Sequence, residues 1–134
     1  MLLAACSQPE QHSLVTIADA RAHPPSVIDN GKAGDSPGDI LVFDQPLLDE
    51  KMKIIGTNSG SCIRTKVAHS FQCQWVLSMD KGSIVVAGRE LDQGTSTLGI
   101  VGGAGIYAGI YGDMESTNNN DGTFTQVLRY RLRQ

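Results

Sequence analysis

From Ser70 to Met79 the chain alternates strictly. Phe71, Cys73, Trp75 and Leu77 fall on one side of a two-residue period, and Gln72, Gln74, Val76 and Ser78 on the other. A helix would scatter these four large side chains around its circumference. An extended strand collects them on one face, so this segment has to be half of a sheet with a covered side. Asp80-Lys81-Gly82 follows as a hairpin turn. Ser83 to Leu91 then resumes the alternation, with Ile84, Val86, Gly88 and Glu90 sharing a face.

The second constraint is Leu98 to Met114, LGIVGGAGIYAGIYGDM. Its glycines at 102, 103, 105, 109 and 112 read as strand, sharp irregular turn, strand. A phosphate-binding loop would need a helix after Gly-Gly-Ala-Gly, and more glycines and β-formers follow instead. Thr97 to Val101, Ala108 to Ser116 and Gly122 to Leu132 are the strands of this half. Asn118 to Gly122 (NNNDG) is a further hairpin signal.

Upstream, Ser13 to Ala18 is a first strand. Asp19 to Gly38, with Pro24, Pro25, Pro37 and three glycines, reads as a long irregular connection with one helical turn near Ser26 to Asn30. Asp39 to Gln45 is a strong strand: Leu41, Phe43 and Gln45 on one face, Ile40, Val42 and Asp44 on the other. Both faces are partly apolar and both are expected to be covered, one by the interior of a barrel and one by a neighbouring subunit. Lys51 to Gly56 and Gly60 to Val67 form a strand or bent pair, with the bend or bulge at Asn58-Ser59-Gly60. About eight antiparallel strands result, the number that closes into a small barrel with room for side chains or one ligand. The expected fold is therefore all-β, an eight-stranded antiparallel barrel with an interior pocket. The chain divides into a tail at 1–12 and one barrel domain at 13–134.

The formal net charge of −3 over 134 residues, with no basic stripe, excludes a nucleic-acid partner. No apolar run approaches the roughly 20 residues of a membrane helix. Leu3-Ala4-Ala5-Cys6 has the form of a bacterial lipobox, which would leave a lipidated Cys6 as the membrane contact, with Ser7 to His12 as tether. The expected location is then the bacterial envelope or the exterior. If the likeness is chance, the tail is a polar scrap and the protein is cytoplasmic.

Cys62 and Cys73 are related by hairpin arithmetic. If the chain turns about Ala68, opposed residues sum to 135 or 136, and these two sum to 135. They face each other, bridged in an exported protein and buried thiols in a cytosolic one. A nucleophilic Cys62 served by His69 is the weaker alternative, since a turn histidine is a poor base for an interior thiol. His12, His23 and His69 are scattered, so no metal site is expected.

From Gly34 to Leu132 the sequence resembles the allene oxide cyclase and dirigent protein superfamily. The likeness is carried by GDILVFDQPL (Gly38 to Leu47), SGSC (Ser59 to Cys62), IVVAGRE (Ile84 to Glu90) and GGAGIYAGIYG (Gly102 to Gly112). It implies an eight-stranded barrel, usually trimeric, with an interior ligand site that needs no cofactor. It also implies where the family's functional positions fall. A first-strand glutamate of the cyclases falls at about Thr16, a water-holding asparagine at Gln45, a cysteine near the substrate at Cys62, and a pocket tyrosine at Glu90. The arginine common on the seventh strand of dirigent proteins falls at Tyr111.

Candidate chemistry follows. Glu90, if interior, is a carboxyl against apolar walls and a usable general acid or base; if at the rim, it is a solvated partner of Arg89 or a lysine. Gln45 would hold a carbonyl or a water. Tyr111 and Tyr107 offer phenols that polarise an oxygen, or else pack beneath the glycine loop. Arg64 either grips an anionic group of a substrate or stays an exposed rim residue. Leu41, Phe43, Cys62, Phe71 and Trp75 complete the expected substrate wall. Two functions compete. One is a cofactor-independent cyclase or isomerase acting on a hydrophobic small molecule. The other is a binding or dirigent-like stereocontrol protein. A polar cluster at the pocket floor favours the first, a uniformly apolar pocket the second.

Overall fold

A computed structural model describes residues 7–133. These form nine strands: β1 (His12–Asp19), β2 (Ser26–Ile28), β3 (Ile40–Leu48), β4 (Ile54–Lys66), β5 (Ser70–Met79), β6 (Gly82–Leu91), β7 (Thr95–Gly105), β8 (Ile110–Asn118) and β9 (Thr123–Leu132). Consecutive strands from β3 to β9 pair antiparallel, β9 pairs with β1, and β1 closes on β3 through Ile17 opposite Leu48 and Ala18 opposite Leu47. Eight strands thus make the ring, as the alternating segments predict. β2 lies outside it, laid along the first residues of β3 with Val27 opposite Leu41.

β2 corrects the expected helical turn at Ser26 to Asn30. Val27 and Ile28 are β-formers, and the free edge of β3 offers a ladder that the local sequence does not reveal. The bend expected at Asn58 to Gly60 is also absent. β4 runs unbroken through it, with Asn58 opposite Gln45 and Gly60 opposite both Phe43 and Trp75. Two flanking ladders hold these poor strand formers extended. Gly60 is required by close approach: a methyl group there would run into the Gln74 carbonyl and Cβ of Trp75.

The β4–β5 hairpin does turn at Ala68, which takes a positive φ of 54°. Cys62 sits opposite Cys73, and the two are joined as a disulfide. The glycine-rich stretch turns between β7 and β8, where Gly105 (φ 64°) and Gly109 (φ 81°) adopt the left-handed backbone.

Leu47, Leu77, Ile84, Val86, Leu98, Met114 and Leu128 are almost fully buried and fill one end of the barrel. The tail is tied to that end. Arg131 donates through Nη1 to the Pro9 carbonyl and through Nη2 to Oε1 of Gln11. The expected lipobox at Leu3 to Cys6 lies outside the described residues.

Candidate functional site

Strand alternation places the inward residues of the opposite end in successive tiers. Phe71 and Glu90 are register partners at the mouth, and Leu41 and the Cys62–Cys73 disulfide lie one tier deeper. Phe43 and Trp75 come next, edge to face with ring centroids 6.0 Å apart. Gln45 and Asn58, opposed on β3 and β4, lie below them. Together they line a cavity of about 350 Å³, completed from β8 and β9 by Ser116, Asn118, Phe124 and Gln126. This volume lies within the range of small-molecule sites.

The walls are apolar, while the floor carries carboxamides. Gln126 is 1% exposed and fixed at both ends: its Oε1 accepts from the Trp75 indole N–H (2.9 Å), and its Nε2 donates to Oγ1 of Thr16 (3.0 Å). The relay locks Trp75 so that its ring faces the cavity. Thr16 holds the far end of this relay through its hydroxyl.

Glu90 lines the cavity near its mouth. Burial among the surrounding residues pushes its carboxyl up to about 7, because an ionised carboxylate loses water it cannot replace there. Of the two sequence alternatives, the interior one holds. No ion pair or side-chain hydrogen bond reaches Glu90 among the described residues, so Arg89 and the lysines do not neutralise it.

Of the expected site residues, Leu41, Phe43, Gln45, Cys62, Phe71, Trp75 and Glu90 are brought together. Arg64, Tyr107 and Tyr111 are not. Arg64 is buried rather than exposed, and its guanidinium is engaged within the protein. Nε lies 2.8 Å from Asp35 Oδ1 and Nη1 lies 2.7 Å from Asp92 Oδ1, while the guanidinium stacks 3.7 Å above the Phe71 ring. Burial pulls its pKa down, but the two aspartates outweigh this and hold it charged. It buckles the 29–38 connection to the barrel rim. Tyr107 and Tyr111 lie at the other end, because β7 carries the glycine turn away from the mouth. Tyr107 packs edge to face on Tyr130, with centroids 6.0 Å apart. Tyr111 alternates with buried Ile110, turns outward, and lies 4.3 Å beneath the Arg133 guanidinium.

Asn58 and Gln126 escape the sequence reading. Gln126 was accessible to it, being two residues before the apolar Leu128 and so a polar residue on a buried face. Asn58 would follow from stepping back by twos from Cys62, had the strand been carried through Gly60.

The sequence matches no family model and no curated protein. Solved structures do match. Pyocyanin demethylase is 23% identical with a TM-score of 0.73, over 90% of this chain and 99% of that one. The pterocarpan synthase dirigent protein PsPTS1 is 13% identical with a TM-score of 0.72, over 96% and 99%. The Diels–Alderase AbmU from Streptomyces koyangensis is 16% identical with a TM-score of 0.71, over 92% of this chain and 64% of that one. This chain shares their fold.

Proposed function

We propose that the protein is a cyclase or isomerase that folds a largely apolar small molecule inside the barrel for intramolecular ring closure. The observation that carries the reading is the cavity's division of labour. A carboxyl that titrates near neutral pH stands against aromatic walls, over a floor of carboxamides. Phe43 and Trp75 would hold a folded hydrocarbon, and prefolding removes much of the entropic barrier to ring closure. Glu90 would donate or accept the proton. Gln45 and Asn58 would hydrogen-bond an oxygen on which charge develops. The [4 + 2] cycloaddition described for one barrel of this fold supports ring closure as chemistry such a cavity can host.

A second reading, stereocontrol without chemistry of its own, is favoured by Thr16, which offers no carboxylate where the family's cyclases have one. Incubation of the purified protein with candidate polyenes and epoxides separates the two. Conversion by the protein alone, falling about 100-fold in kcat in Glu90→Gln, is expected for the enzyme. Altered product stereochemistry only when an oxidase generates the reacting radicals would establish stereocontrol. Undiminished turnover in a correctly folded Glu90→Gln would remove Glu90 from the mechanism.

A further inference from the structure

We propose that the molecule held in the barrel carries an uncharged hydroxyl or enol group at the end that enters first, and that the cavity discriminates against carboxylates. The inference rests on the barrel interior being a small-molecule site and names the class of molecule that fits it.

Asn58 is 3% exposed, and its Oδ1 has no hydrogen-bond partner among the described residues. Buried amide oxygens are rarely left so, because the lost hydration is not returned. Gln126, a second buried amide on this floor, is by contrast satisfied at both ends. Oδ1 itself is closed off, with less than 1 Å² of accessible surface, but Asn58 lines the cavity and its Nδ2 has no protein partner among the described residues either, so that N–H must find its acceptor there: water when the barrel is empty, the ligand when it is filled. Were the amide turned over, Oδ1 would face the cavity and call for a donor. A hydroxyl is donor and acceptor at once and meets either orientation. Gln45, opposite Asn58 in the β3–β4 ladder and 5% exposed, is placed to take the hydroxyl's second bond.

Charge closes the argument. Among the described residues no lysine, arginine or histidine lines the cavity, whereas Glu90 and Asp92 do. Arg64, the nearest cation by sequence expectation, is consumed by Asp35 and Asp92. A carboxylate drawn to this floor would be desolvated without a counter-charge.

Trp75 is the chain's one tryptophan and stands in the cavity wall, so its fluorescence reports occupancy directly. Three probes of one carbon skeleton would be titrated at pH 7.5: the alcohol geraniol, its acid as geranate, and the hydrocarbon myrcene. Geraniol is expected to bind about tenfold more tightly than either, as one well-placed buried hydrogen bond provides. In Asn58→Leu its advantage over myrcene is expected to disappear. Geranate binding as tightly as geraniol, or an alcohol preference surviving in Asn58→Leu, overturns the inference. The comparison of alcohol with acid needs only the unaltered protein, so it stands even if the variant does not fold. Equal binding of all three overturns the inference and leaves the barrel as a binding site. Silence of Trp75 towards all three overturns the small-molecule reading with it.

Discussion

Glu90 shows how a single residue's environment sets its chemistry. Its ordinary carboxyl value is 4.5, and burial lifts it to about 7. Below pH 4.5 folded and unfolded chains are both protonated here, and the shift has no effect on stability. Between about 4.5 and 7 the unfolded chain releases the proton while the folded chain keeps it. Stability therefore falls as pH rises through that window and levels off above it, a loss of about 1–3 kcal/mol for a group partly open to the cavity. Glu90→Gln should accordingly match the wild type in thermal unfolding at pH 4 and exceed it at pH 8. Equal melting temperatures at both values would mean that the carboxyl is solvated. The alternation of Ile84, Val86, Gly88 and Glu90 put these residues on one face, and barrel closure made that face the inner one. That no cation met it there could not be read locally, because Arg64 and its aspartates come from three separate segments.

At the scale of elements, the β4–β5 hairpin is the best-determined unit. Given a turn at Ala68, the register and the facing of Cys62 and Cys73 followed from the constant sum of antiparallel partners, while the bond between them did not. The disulfide closes a separation of 11 residues. On loop-closure grounds it contributes about 2–3 kcal/mol. A Cys62→Ala/Cys73→Ala variant should show that loss as a lower denaturant midpoint, with a slope equal to or slightly steeper than that of the oxidised wild type. A midpoint within error of the wild type would mean that the ladders alone hold the hairpin. β2 and the unbroken course of β4 were not legible for a common reason. Each is stabilised by strands distant in sequence, and the local signals of proline, asparagine and glycine point elsewhere.

For the whole molecule, closure leaves an apolar exterior. Ile28, Ile40 and Ile63 form one outward row across β2, β3 and β4, with Val42 in the adjacent row. Ile28, Ile63 and Val42 are 47%, 49% and 44% exposed. Single exposed aliphatics are ordinary, but a contiguous row is not. We expect this face to join copies of the chain, as the two-sided apolar β3 suggests. Sedimentation should find an oligomer that Ile63→Glu disperses to monomers without loss of strand signal. A monomeric wild type at micromolar concentration would refute it.

Period and turn chemistry are local properties, so the sequence by itself determined about eight antiparallel strands, most of their hairpins, which side chains share a face and the candidate carboxylate. Which polar groups meet, and which are used up elsewhere, depends on closure. Only the tertiary structure brought Gln126 from β9 to Trp75 on β5, drew Asp35 onto Arg64, and sent Tyr107 and Tyr111 to the far end of the barrel. The physical reason is that period two assigns a side chain to a face. Its height within the barrel and its partners across the interior come from the stagger of strands that are neighbours only in space.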